Sequence, residues 1–143
     1  MKQKADPRHT ARIMALQTLF SKHFDSGKLR TVAHDPRTLS DILENANYNQ
    51  ELFKKLIKGV EKNLEKINEI IEKYAPQWPL EQIKKVDLEI LRIAIFEGFI
   101  GQITPPKVAI DEAIELSKDF GGDNSSKFIN GVLGGIFENL KTS

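Results

Sequence analysis

Residues 86–96 read Val86-Asp87-Leu88-Glu89-Ile90-Leu91-Arg92-Ile93-Ala94-Ile95-Phe96, and whether this run is a helix or a strand decides the fold. Its isoleucine content suits a buried strand. Asp87, Glu89 and Arg92 instead fall at helical spacing. The run is apolar around most of its circumference, which predicts a central helix packed on several sides.

The segments that follow are helical too. Gly101 ends the central element, and Thr104-Pro105 is a start signal for the next helix. That helix runs through Val108, Ala109, Ala113, Ile114 and Leu116 to Phe120, where Gly121-Gly122 stop it. Asn124 or Ser125 can cap a last helix with the stripe Phe128, Ile129, Val132, Leu133, Ile136, Phe137 and Leu140. Gly131, Gly134 and Gly135 inside it each cost roughly 1 kcal/mol relative to Ala. Their presence predicts close approach of a neighbouring helix.

Towards the N-terminus, Pro7 suits a first helical position and Asp6 can cap it. Ile13, Leu16, Phe20 and Phe24 form one apolar stripe. Arg8 and Arg12, one turn apart, lie off the centre of that stripe and are expected in solvent. Residues 25–37 hold turn formers, with a short helix expected over 39–45. Asn47 or Asn49 then caps a long helix reaching Tyr74, whose outer face of Lys and Glu reads as a solvated surface. Ala75-Pro76-Gln77-Trp78-Pro79 breaks it, and Pro79 and Glu81 can start a short helix. The resulting expectation is an all-α fold of about seven helices in one domain, 1–143, with subdomains 1–74 and 79–143. Trp78 is expected as a packed anchor of the interhelical loop, because an indole buries so much area.

The composition agrees with a globular domain. The 143 residues are 40% hydrophobic and 29% charged, which excludes a disordered chain. No apolar run approaches the roughly 18 residues of a membrane span, and no signal-peptide pattern opens the chain. Without cysteine there is neither a disulfide framework nor a thiolate metal site, and a reducing cytoplasm is the natural setting. The net charge of +1 is uneven: residues 1–12 carry Lys2, Lys4, Arg8 and Arg12 against Asp6, a local +3. On charge alone this is either a solubilising terminus or a polyanion contact.

Catalytic patterns do not emerge. His9, His23 and His34 are scattered without carboxylates at ligand spacing, so no metal site is expected. There is no phosphate-cradling glycine loop and no nucleophile elbow. Asp111, Glu112 and Glu115 cluster in the first half of one helix, where its dipole favours acids. Neither an enzyme nor a cofactor is expected.

Four stretches carry a family resemblance. They are Arg8-His9-Thr10-Ala11-Arg12 with Ala15-Leu16-Gln17-Thr18-Leu19-Phe20; Val86 to Ala94; Pro106 to Lys118; and Lys127-Phe128-Ile129-Asn130-Gly131-Val132-Leu133. In this order they resemble the NusB family of transcription antitermination factors over nearly the whole chain. The resemblance implies two small helical bundles set at an angle. It implies binding of boxA, a short single-stranded element of ribosomal RNA leaders, in a heterodimer with the small-subunit ribosomal protein NusE, acting on the RNA polymerase elongation complex. The implied RNA-facing residues are Arg8, His9, Arg12, Asn124, Lys127 and Phe128, with Lys2 and Lys4 added by charge. Tyr74, Glu81 and Asp87 correspond to the NusE face. A homodimer paired through the RNA face is open to the free chain. The family's basic run is diluted here by His9 and Thr10, and His9 is mostly neutral at pH 7. Two rival readings are an accessory domain of a ribosomal RNA methyltransferase and a protein-only helical adaptor. With Ser143 as the last residue read, no cofactor-binding domain is expected, and the free-standing factor is the reading preferred to the first rival.

Overall fold

The computed structural model describes residues 6–24 and 47–142. Among them are six α-helices and no strand. Helix α1 is Pro7–Ser21, extended by a 3-10 turn Lys22–Phe24; α2 is Gln50–Lys62 and α3 is Leu64–Tyr74. After a 3-10 turn at Leu80–Gln82, α4 is Lys85–Ile95 and runs on into a π-helical turn, Phe96–Ile100. Helix α5 is Pro106–Phe120 and α6 is Asp123–Thr142. No helix among the described residues is long and apolar enough to cross a membrane.

The start signals act largely as their chemistry requires. Pro7 opens α1, and the Asp6 carboxylate accepts the Arg8 backbone N–H at 2.9 Å. Asn49 caps α2 by accepting from the Leu52 N–H at 2.9 Å. The single long helix expected up to Tyr74 is instead two, because Asn63 interrupts it. Its side-chain Nδ2 donates to the Gly59 carbonyl at 2.8 Å, so the amide competes with the helix ladder. The expected helix at Pro79 shrinks to one 3-10 turn. The one expected over 39–45 lies outside the described residues. Helix α6 begins at Asp123, ahead of Asn124 and Ser125; the Ser125 hydroxyl donates to Gly121 O at 3.0 Å.

Helix α4 touches each of the other five helices, which makes it the centre of the molecule. Ile90, Leu91, Ile93 and Ile95 are all buried there. One continuous apolar core runs from Ala11 to Ile136, across the break at residues 75–79. Ala75 is the buried residue of that break; Trp78 is 50% exposed, so it is not the packed anchor expected. Pro76 and Pro79 on either side of it are exposed as well.

Two glycines set the packing behind α4. The Phe96 ring lies so close to α2 that a Cβ on Gly59 would sit 2.0 Å from its Cζ. From the other side, a Cβ on Gly101 would come within 2.8 Å of the same ring. The glycines of α6 behave differently from expectation. Only Gly135 meets a neighbour, since a Cβ there would stand 3.3 Å from the Tyr74 ring, while Gly131 and Gly134 face open space.

These environments give opposite outcomes for one substitution. Gly131→Ala should stabilise by about 1 kcal/mol through helix propensity. Gly59→Ala gains the same propensity but must displace Phe96, and should destabilise by about 1–3 kcal/mol net. Urea midpoints of the two variants check both; shifts in the same direction would contradict the packing described.

Candidate nucleic-acid interface

The start of α1 presents its three basic or titratable side chains to different surroundings. Arg8 is exposed, and His9 is half-buried with Nδ1 3.0 Å from Glu112 Oε1 on α5. Arg12, expected in solvent, is only 4% exposed. Its Nε and Nη2 donate to both oxygens of Glu97 at 2.6–3.1 Å, and its Nη1 lies 3.1 Å from Glu112 Oε1. The reason is the helix's rotation. Its buried arc is Ala11, Arg12, Met14, Ala15, Leu16 and Leu19, while Ile13 and Phe20 sit at its margin.

A guanidinium can be buried there because a buried acid, Glu97, and a half-buried one, Glu112, both meet it. Glu97, 1% exposed in the π-helical turn, also accepts from Thr104 Oγ1 at 2.6 Å. Desolvation alone would lower the Arg12 pKa. The bond and charge of Glu97, with Glu112 and Asp6 behind them, outweigh it and raise the value, so Arg12 stays charged. Sequence reasoning does not single out Glu97 or Thr104. A lone acid inside Ile93-Ala94-Ile95-Phe96-Glu97-Gly98-Phe99-Ile100 is the signal that could have found them.

Arg8 lies on a groove that it shares with the cap Asn49, with Glu51, Leu52 and Lys55 of α2 and with Ile103 and Thr104. Asn124, Lys127 and Phe128 occupy the first turns of α6, Phe128 in the helix as its place in the apolar stripe predicted. Asn124 and Lys127 are exposed, and Phe128 packs against the core with one side open. Gly122, at φ +98°, makes the turn that starts this helix. Lys2 and Lys4 lie outside the described residues.

The three residues matched to a protein partner also separate. Tyr74, at the end of α3, rests on Gly135, with Lys73 Nζ 5.6 Å from the ring centroid. Glu81 is exposed in the 3-10 turn. Asp87 is not an outward charge: it is 4% exposed, turned towards Gly121 and Ser125 at the α5–α6 junction. Its Oδ1 has no hydrogen-bond partner among the described residues. Burial raises the pKa of Asp87, with Ser125 and Lys84 offsetting only part. No cluster of three or more potential metal ligands occurs among the described residues.

Residues 9–138 match the model of the NusB family. The transcription antitermination protein NusB of Chloroflexus aggregans is 42% identical over 92% of this chain and 87% of its own. That of Roseiflexus castenholzii is 40% identical over 92% of each. Among solved structures, T. maritima NusB is 32% identical, with a TM-score of 0.72 over 93% of this chain and 92% of its own. A complex of NusB and NusE with double-stranded RNA contains a chain of the same fold, at 24% identity and a TM-score of 0.67 over 92% of this chain and 96% of that one.

Two stability outcomes follow from the buried charges. Arg12→Ala leaves Glu97 without its cation and should cost about 3–5 kcal/mol, whereas Arg8→Ala should leave the thermal midpoint unmoved. Equal midpoints for the two variants would mean that Arg12 is not structural. Asp87 has the opposite sign from a paired acid. Its raised pKa keeps it protonated in the fold at pH values where the unfolded chain has already ionised. Stability contributed by this site therefore falls as pH rises from its ordinary value of 3.8 towards the raised one. Asp87→Asn removes that loss, so its urea midpoint should gain on the unmodified protein as pH rises through this window; parallel curves would sink the assignment.

Proposed function

This chain belongs to the NusB family of transcription antitermination proteins, non-enzymatic factors, and from that premise we propose that it binds boxA RNA of ribosomal RNA leaders jointly with NusE. The observation that carries the reading is the division of the basic residues around α1. Arg12 is committed to Glu97 and Glu112, which locks α1 against the π-helical turn and α5. Arg8, one turn earlier, has no carboxylate partner among the described residues and is exposed. Arg12 thus serves as a positioning residue, and Arg8 and Lys127 are the cations that hold phosphate. Lys2 and Lys4 would add charge ahead of them. Asn124 supplies donors to a base or sugar, and the open side of Phe128 supplies a stacking surface. His9 is held by Glu112, its Nδ1 3.0 Å from the carboxylate, and so is turned towards α5.

The NusE surface is assigned to Tyr74 and Glu81, with Asp87 supporting α6 from beneath. The heterodimer acts on the RNA polymerase elongation complex in the cytoplasm. Self-association of the free chain through the RNA face would compete with RNA.

So few free cations make for modest affinity alone, and a partner beside the RNA would complete the site. Titrating boxA RNA into the free chain and into the preformed NusE heterodimer should show a gain of about tenfold in the latter, or about 1.4 kcal/mol. Arg8→Ala should weaken RNA binding and lower the salt slope by about 0.7. Equal affinities in the two titrations, with an unchanged slope for Arg8→Ala, would shift the reading to a protein-only adaptor.

A further inference from the structure

The outer face read in the sequence as evenly mixed Lys and Glu is divided by the break at Asn63. Helix α2 carries Lys54, Lys55, Lys58 and Lys62 against Glu51 and Glu61, whereas α3 carries Glu65, Glu69 and Glu72 against Lys66 and Lys73. Glu61 is paired with Lys22 of the turn after α1, which cancels its charge locally. Lys55, Lys58 and Lys62 are exposed and have no carboxylate partner among the described residues. They are spaced i, i+3 and i+7, so they share one face. At 1.5 Å per residue the row is roughly 10 Å long.

The row does not stand apart from the proposed RNA site. Lys55 and Arg8 line the same groove, with Asn49 and Thr104 between α2 and the α4–α5 connection. Among the described residues Glu51 is the one acid on its wall. An anionic strand held at Arg8 therefore meets Lys55 next, then Lys58 and Lys62.

The geometry points to a second, sequence-independent RNA surface: the lysine row of α2 takes the single-stranded RNA flanking the specific element. This rests on the proposed RNA binding at Arg8. Charge complementarity selects the occupant, since three unpaired cations in a row suit regularly spaced phosphates. The row has no aromatic side chain for stacking, so it contributes affinity without reading sequence.

The test uses the full chain and two RNAs, one confined to boxA and one extended by about ten unstructured nucleotides, within the span of a single-strand site. Lys58→Gln and Lys62→Gln are combined in one variant, with Lys55 left in place because it lines the groove with Arg8, and the fold is checked by circular dichroism. The unmodified protein should bind the extended RNA more tightly and with a steeper salt dependence than the short one. The double variant should lose most of that advantage, its slope falling by about 1.4, while its affinity for the short RNA stays the same. If the unmodified protein binds the short RNA but the variant treats the extended RNA as the unmodified protein does, the lysine row is not an RNA surface. Loss of an acidic protein partner with RNA binding intact would reassign it to that partner and likewise overturn the inference. If the unmodified protein binds neither RNA, the proposed function fails first and this surface with it.

Discussion

The ion pair between Arg12 and Glu97 is the constraint on which the arrangement of the surfaces depends. It joins the first helix to a point 85 residues later in the chain, in a place water hardly reaches. A buried charge pair is weak as a source of net stability, because desolvation offsets most of its attraction. Its strength lies in selection. Any packing of α1 that separated the two groups would leave a guanidinium and a carboxylate buried alone, at a cost of several kcal/mol. The rotation and depth of α1 are therefore tightly specified, and with them the direction in which Arg8 leaves the helix.

The carboxylate is itself held by the backbone around it. The π-helical turn places Gly101 N–H on the Phe96 carbonyl at 2.7 Å, one residue wider than an α-helix. That turn carries Glu97 inward, where Thr104 donates to it, and swings Phe96 into the space left by Gly59 and Gly101. The Ile103 and Thr104 N–H groups bond the Glu97 carbonyl at 2.9 and 3.3 Å. The connection to α5 is thereby fixed against the same residue that fixes α1. Two helices that meet a common ligand thus inherit their relation from one buried acid.

A second polar network holds the far end of α1. His23 Nε2 lies 2.5 Å from Glu89, which also pairs with Arg92 at 2.7 Å, and Arg92 reaches Asn68 of α3 at 3.2 Å. Both ends of α1 are thus tied to α4 and its extension by polar contacts, and the middle is held by apolar contact. Neither network uses the lysine row of α2 or the exposed Asn124 and Lys127 of α6. Among the described residues, unpaired cations remain there and at Arg8.

Local chemistry determined much of this protein by itself. The proline and aspartate at the start of α1, the cap at Asn49 and the apolar circumference of residues 86–96 act over a few residues, and each dictates the same outcome whatever surrounds it. The all-helical class and the central place of α4 were therefore legible, as was the family, whose motifs are contiguous. The fate of individual charges was not. Arg8 and Arg12 look alike in the sequence, as do Glu81 and Asp87, yet one of each pair is exposed and the other buried. Whether a charged side chain can leave water depends on partners far along the chain, here Glu97 and Glu112 for Arg12, and only the tertiary structure brings those together. The same holds for glycine: Gly59 is required by a ring from another helix and Gly131 by none, a difference made by what packs opposite and invisible in the residue itself.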